Sequence, residues 1–109
     1  MKYVIQMSNG TINPGLLMNV LKNISAIGET EEINVVMFGP AVVSVLRHSQ
    51  LKEQLRAAVN EKINIFVCRN AMNMFELKDA DIPDYASIVP AGVEKIAKLS
   101  KEGCVYIAL

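Results

Sequence analysis

The hydrophobic positions of the chain follow two alternating spacings. Short apolar runs rich in Val and Ile predict strands that are covered on both faces. After most of these runs, apolar residues recur every three or four positions, as on one face of an amphipathic helix. This alternation predicts five strands, at residues 3–7, 33–38, 63–67, 87–89 and 104–109, with helices between them.

Turn and cap residues separate these elements. Asn13 followed by Pro14 is typical of a helix N-cap and first helical residue. Gly28 and Gly103 are predicted to end the first and last helices, since glycine tolerates the left-handed backbone of a helix end. The helices are predicted from 14 to about 27, over 41–47, from a cap at Ser49 to 59, over 69–77 and from 92 to 102.

Strands that alternate with helices predict an α/β domain with a mostly parallel sheet. At 109 residues the chain fits a single domain over residues 1–109. We therefore expect a three-layer α/β/α sandwich with a mostly parallel sheet of about five strands. Its crossover connections are expected to be right-handed.

Composition excludes several classes of protein. Eleven Lys and Arg balance eleven Asp and Glu, so the chain lacks the basic field that would hold nucleic acid or an anionic membrane. No apolar run approaches the 18 or so residues of a membrane span, and the first residues turn polar too early for a signal peptide. Two Cys and one His are too few for a disulfide scaffold or a structural zinc site. We expect a cytoplasmic protein with no metal and no cofactor.

The candidate chemistry lies at the carboxyl ends of the strands, where open parallel sheets bind ligands. Among the residues expected there, only Cys68 is a good nucleophile. It precedes a predicted helix whose unpaired amides would stabilise a thiolate, and Arg69 adds a positive charge if its side chain turns toward the sulfur. Two interpretations stay open at this point: a reactive thiolate, or a small buried hydrophobe that ends a core strand.

The residues that follow Cys68 exclude several known kinds of cysteine site. A C-x-x-C redox motif would need a cysteine where Ala71 stands, and a C-x5-R phosphatase would need an arginine where Met74 stands. The single histidine, His48, lies in a polar stretch between predicted helices and is expected to be solvated. Glycine-rich phosphate motifs are absent. A lone thiol remains, which could accept and pass on a group such as sulfane sulfur.

Other residues are predicted to be structural or to flank the thiol. Cys104 begins the last strand and is interpreted as structural, although a Cys68–Cys104 disulfide stays open. The loop with Asp79, Asp81 and Asp84 is expected to be solvated, because it lacks the glycine and glutamate of an EF-hand. Of the apolar residues that follow Cys68, at least one is expected to be exposed near the thiol: Met72, Met74 and Phe75.

Three segments of the second half form a distributed pattern. One is the strand end Val67-Cys68-Arg69-Asn70, the next is Val89-Pro90-Ala91-Gly92-Val93, and the last runs from Leu99 through Glu102-Gly103 to Ile107. The pattern resembles the DsrE/DsrF-like family of small sulfur-relay proteins over essentially the whole chain. The first half agrees with it through Val35-Val36-Met37-Phe38-Gly39-Pro40.

The resemblance implies a three-layer fold, homo-oligomers that are often trimers or hexamers, and a cysteine after the third strand that carries sulfur as a persulfide. Cys68 matches that cysteine, so the resemblance implies a sulfurtransferase-like carrier with donor and acceptor proteins as partners. Arg69 and Asn70 would then stabilise the sulfur anion. The approach to the sulfur would be lined by neighbouring strand ends, at Asn9, Gly39 and Gly92.

Two other functions stay open from the sequence. The chain shows no general base, metal set or cofactor motif, which is compatible with a non-enzymatic homo-oligomeric module that binds a small ligand or a protein. A flavodoxin-like sheet could instead bind a mononucleotide. The sequence does not distinguish these functions from sulfur relay, since they depend on the geometry around Cys68.

Overall fold

The computed structural model of the protein describes residues 1–11, 13–47 and 49–109. Its strands are β1 (Lys2–Met7), β2 (Glu32–Met37), β3 (Ile63–Cys68), β4 (Ala86–Val89) and β5 (Val105–Ala108). Its helices are α1 (Pro14–Ser25), α2 (Ala41–Arg47), α3 (Ser49–Ala58), α4 (Arg69–Met74) and α5 (Gly92–Lys101), with a short 3-10 turn at Asp79–Asp81. Every predicted strand is present, and each of its bounds differs from the predicted one by at most one residue.

The described strands form one sheet in the order β4-β3-β2-β1-β5, and every neighbouring pair is parallel. The chain steps outward from β1 to β4, and α5 then carries it back across the sheet to β5 on the far side of β1. The predicted α/β class is therefore confirmed, and the sheet is parallel throughout.

Side chains from the two faces of the sheet enter separate cores. The larger core contains Ile5, Val35 and Ile65 of the three central strands, together with apolar residues of α1 to α4. On the other face, Val4 and Val36 pack with Leu99 of α5. Right-handed crossovers explain this division. The connections from β1 to β4 all step in one direction along the sheet and cover one face, whereas the connection through α5 steps back in the other direction and therefore covers the opposite face. The result is the predicted three layers, with α5 as the one described helix on the second face.

The first helix begins as predicted and ends earlier. The Asn13 side chain accepts a hydrogen bond from the Gly15 amide (2.8 Å) and caps α1. The helix ends at Ser25, three residues before Gly28. The buried hydroxyl of Thr30 donates to the carbonyl of Ile24 (2.7 Å), which also accepts from the amide of Ile27 (3.0 Å), and the two contacts hold the chain after the last turn. The stop at Gly28 was therefore a wrong prediction.

The fourth helix is also shorter than the predicted 69–77. It ends at Met74 because Glu76 adopts the left-handed backbone conformation (φ 58°). The amide of Leu77 then bonds to the carbonyl of Met72 (2.8 Å), and the Leu77 side chain packs against the larger core. The chain consequently leaves α4 early and enters the exposed acidic loop at 78–85.

Candidate functional site

Cys68 occupies the junction between a strand and a helix. It is the last residue of β3, paired in register with Val89 of β4, and it is the N-cap residue of α4. Cys68 is only 5% exposed, and its side chain makes no capping hydrogen bond to α4. The thiol therefore belongs to the residue that begins α4, and it makes no hydrogen bond to the first-turn amides of that helix.

A cleft of about 340 Å³ opens next to Cys68. It lies between the end of β2 and the beginnings of α4 and α5. These segments meet because β2, β3 and β4 are adjacent parallel strands that end at the same edge of the sheet. The cleft is lined by Phe38, Gly39, Cys68, Asn70, Ala71, Met74, Ala91, Gly92 and Val93. The structure thus brings together four residues that the sequence singled out: Cys68, Asn70, Gly39 and Gly92.

Two glycines shape the walls of this cleft. Gly39 has a φ of 56°, a backbone conformation that other residues adopt with strain, and it turns the chain sharply after β2. A Cβ atom on Gly92 would lie 2.9 Å from Cβ of Phe38, closer than real Cβ atoms approach each other. Gly92 therefore permits the close approach of α5 to the end of β2.

Arg69 lies next to Cys68 in the chain, but its charge is engaged elsewhere. The guanidinium donates two hydrogen bonds to the Asp79 carboxylate, one from Nη1 to Oδ1 and one from Nη2 to Oδ2 (3.2 Å). The hydrogen bond from Arg69 lowers the pKa of Asp79. Arg69 does not line the cleft. The Arg69 side chain therefore does not turn toward the sulfur of Cys68, because Asp79 offers it a bidentate partner.

Asn9 also lies away from the cleft. Its exposed side chain accepts hydrogen bonds from the amide and the hydroxyl of Thr11, both at 2.9 Å. It stabilises its own turn after β1, as short polar side chains commonly do. Asn9, which was expected to line the approach to the sulfur, is not among the residues that line this cleft. His48 lies outside the described residues.

The second cysteine is at the opposite end of the sheet. Cys104 precedes β5 and packs with Val4, Val36 and Leu99 on the α5 face. Burial raises the pKa of its thiol, and nearby Glu32 adds to that effect. Both cysteines are free, and they lie at opposite ends of strands about 17–20 Å long. This separation excludes the Cys68–Cys104 disulfide that the sequence left open, and it agrees with a structural Cys104.

The mouth of the cleft is apolar. Met74 is 74% exposed and Val93 is 65% exposed, and Phe75 follows at the end of α4. The exposure of Met74 fulfils the expectation of an exposed apolar residue near the thiol, whereas Met72 is buried. Val93 lies in the first turn of α5 and lines the cleft, whereas Leu99 further along the helix is buried against the sheet.

The sequence analysis missed several lining residues, above all Phe38 and Ala91. Phe38 directly follows β2, beside Cys68 in the parallel sheet, and this register was the signal that could have found it. Among the described residues, no group of three His, Cys, Asp or Glu is placed to hold a metal ion. Within the same residues, no helix has both the length and the apolar character needed to cross a membrane.

In the native protein, iodoacetamide is expected to alkylate Cys68 faster than Cys104. The cleft gives the reagent a path to Cys68, while burial and a raised pKa keep Cys104 a protonated thiol. Peptide masses after timed quenching would give both rates in one sample. Equally slow labelling of the two cysteines would contradict an accessible Cys68.

The comparisons with known proteins agree with the fold. A protein of unknown function from Methanobacterium thermoautotrophicum, MTH1491, is similar with a TM-score of 0.83 and 21% identity, over 99% of this chain and 96% of that one. A conserved protein of unknown function from Bacteroides thetaiotaomicron, BT1422, has a TM-score of 0.81 and 16% identity, over 99% and 94% of the two chains. These likenesses show the shared fold. No curated protein matches the chain.

The family match extends over the whole sequence. The model of the DsrE/DsrF-like family covers residues 1–109, and it includes every segment that lines the cleft. This match suggests a role related to sulfur relay. It also confirms the resemblance that the segments around Cys68, Pro90 and Gly103 indicated. On this match, the chain belongs to the DsrE/DsrF-like family.

Proposed function

We propose that the protein carries sulfane sulfur as a persulfide on Cys68 and passes it to a partner protein. The observation that carries this proposal is the placement of Cys68 in the wall of the cleft, next to the amides that begin α4. No other cysteine, and no Ser, Thr, Lys or His side chain, lines the cleft among the described residues. Sulfur chemistry in this cleft therefore rests on one atom, Sγ of Cys68.

The reaction needs no cofactor and no oxidant. The Cys68 thiolate attacks the outer sulfur of a donor R–S–SH, a new Sγ–S bond forms, the S–S bond of the donor breaks, and R–S⁻ leaves with the electron pair. The product is a Cys68 persulfide. A partner thiolate would later attack the outer sulfur in the same way and release the Cys68 thiolate.

The surroundings of Cys68 suit a bound persulfide. The first-turn amides of α4 have no partners within the helix, and the Asn70 side chain lines the cleft and can donate a hydrogen bond. The remaining walls are mainly apolar, with Phe38, Ala71 and Val93 among them. Such walls leave the sulfur with few polar neighbours inside the cleft.

A second candidate function is a homo-oligomeric module that binds a small ligand or a protein without chemistry. The exposed apolar mouth favours it, since Met74 and Val93 present large apolar groups to solvent beside a preformed cleft. In this case Cys68 is one wall of a binding site. Binding would then survive Cys68→Ser, whereas sulfur transfer would not.

Sulfur loading tests the proposed function. The reduced protein is treated with an organic persulfide that carries an uncharged substituent, and intact and peptide masses are taken. We expect one added sulfur atom on Cys68, retained in Cys104→Ser and lost completely in Cys68→Ser. Cys104→Ser is the matched control because it removes the other cysteine by the same exchange. An adduct on Cys104 alone, or none, would reject the proposal and favour the binding module.

A further inference from the structure

The cations that flank the cleft all have partners. In α4, Arg69 is bound by both carboxylate oxygens of Asp79. In the first two turns of α5, Lys98 pairs with Glu94 (2.9 Å). Nζ of Lys95 lies 4.5 Å from the centroid of the Phe66 ring. Among the described residues of these helix beginnings, therefore, no cation is held toward Cys68.

The cleft itself offers little to a charged donor. Apart from the thiol, Asn70 is the only lining residue with a polar side chain among the described residues. An oxyanion that entered would lose its hydration and receive amide hydrogen bonds but no full positive charge in return. A donor whose carrying group is uncharged would not meet this cost, and its apolar part would contact Phe38 and Met74.

We infer that Asp79 is a specificity-determining residue of the sulfur site: by binding Arg69 it withholds the guanidinium from Cys68, so that the cleft takes sulfur from uncharged carriers rather than from oxyanions such as thiosulfate. This inference rests on the proposed function. Asp79 acts through Arg69 and does not touch the reacting sulfur, which makes it a positioning residue.

Arg69 is close enough to Cys68 in the chain for its pairing with Asp79 to affect the charge at the cleft. Arg69 is the first residue of α4, directly after the cysteine at the N-cap. Its side chain is long and flexible, so a guanidinium released from Asp79 stays within a side-chain length of the cleft. The two hydrogen bonds to Asp79 hold the guanidinium at the loop, and replacing the carboxylate removes the partner that keeps it there.

Both donor classes react without an oxidant, and they differ in the charge of the group that carries the sulfur. With R–S–SH the products are the Cys68 persulfide and R–S⁻. With thiosulfate, the thiolate attacks the outer sulfur, the S–S bond breaks and sulfite leaves with the electron pair. The second reaction brings a dianion to the Cys68 thiolate, and a nearby guanidinium would stabilise that encounter.

The test compares an anionic and a neutral reagent at one sulfur. In a Cys104→Ser background, the rates of alkylation of Cys68 by iodoacetate and by iodoacetamide are measured, and their ratio is taken. The same Cys68 thiolate attacks both reagents and displaces iodide, so a change in the thiolate population cancels from the ratio. We expect Asp79→Asn to raise the ratio of iodoacetate to iodoacetamide about threefold to tenfold, because one unit charge moves toward the reacting anion.

Matched variants separate this effect from a general change of charge. Asp84→Asn removes the same charge from the same loop, but its carboxylate pairs with Arg56 (2.9 Å), so we expect no change in the ratio. Asp79→Glu keeps a carboxylate for Arg69 and should keep the original ratio. The double variant Arg69→Gln, Asp79→Asn should also return to it, since no guanidinium remains to be released.

The outcomes distinguish this inference from the proposed function. An unchanged ratio in Asp79→Asn, or an equal rise in Asp84→Asn, overturns the role of Asp79 even if Cys68 loads sulfur. A raised ratio without sulfur loading from either donor overturns the proposed function and leaves Asp79 as the determinant of the charge that the cleft admits. Sulfur loading from thiosulfate that equals loading from the organic persulfide in the unmodified protein also overturns the inference.

Discussion

Leu17→Ala is expected to lower the free energy of unfolding by about 2–5 kcal/mol. Leu17 is fully buried in α1, in the core that this helix forms with β1 and β2. The substitution removes the transfer free energy of the lost carbon atoms, and it leaves a cavity that the close-packed neighbours fill only in part. For 109 residues, this loss is a large share of the total stability of a folded protein of that size.

The neighbouring leucine provides the matched control. Leu16 belongs to the same helix but is 48% exposed. Leu16→Ala is therefore expected to change the free energy of unfolding by no more than about 0.5 kcal/mol, since alanine is the better helix former and little packing is lost. Urea unfolding followed by circular dichroism measures both variants, with unchanged m-values as the check on a common mechanism. Equal losses in the two variants would contradict the assigned burial.

Gly92→Ala is expected to lower the free energy of unfolding by about 1–3 kcal/mol and to slow the alkylation of Cys68. The new Cβ would lie 2.9 Å from Cβ and 3.1 Å from Cδ1 of Phe38. Because the nearest atom is a Cβ rather than the free end of a side chain, α5 or the end of β2 must move. Either movement changes the wall of the cleft that faces Cys68.

Gly28→Ala controls for the general effect of replacing glycine. No atom lies within 4 Å of the Cβ it would add, and its φ is not in the left-handed region. This variant should be as stable as the original or more stable by about 0.4–1 kcal/mol, because alanine restricts the unfolded chain. The free energy of unfolding and the rate of iodoacetamide labelling are measured for both variants. Full stability and normal labelling in Gly92→Ala would show that the approach of α5 to Phe38 is not tight.

Much of the candidate site could be predicted from the sequence. The carboxyl ends of parallel strands share one edge of the sheet, so Cys68, Gly39 and Gly92 were expected together, and the structure places them in one cleft. Asn70 was expected near the thiol because it lies in the first turn after Cys68, and it lines the cleft. These predictions needed only the order of strands and turns along the chain.

The directions of two side chains were harder to predict. Asn9 and Arg69 were expected near the sulfur because they follow strand ends, but in the structure Asn9 accepts hydrogen bonds from Thr11 and Arg69 donates to Asp79. A side chain's direction depends on neighbours that the spacing of residues does not reveal.

The sequence by itself determined the alternation of strands and helices, the α/β class and the position of Cys68 at a strand end. Those features depend on contacts between residues two to four positions apart, which a pattern records directly. Only the tertiary structure decided that α5 lies on the other face of the sheet, that Gly92 packs closely against Phe38 and that Asp79 forms an ion pair with Arg69. These contacts join residues 10 or more positions apart, and their geometry follows from strand order and packing of the whole sheet.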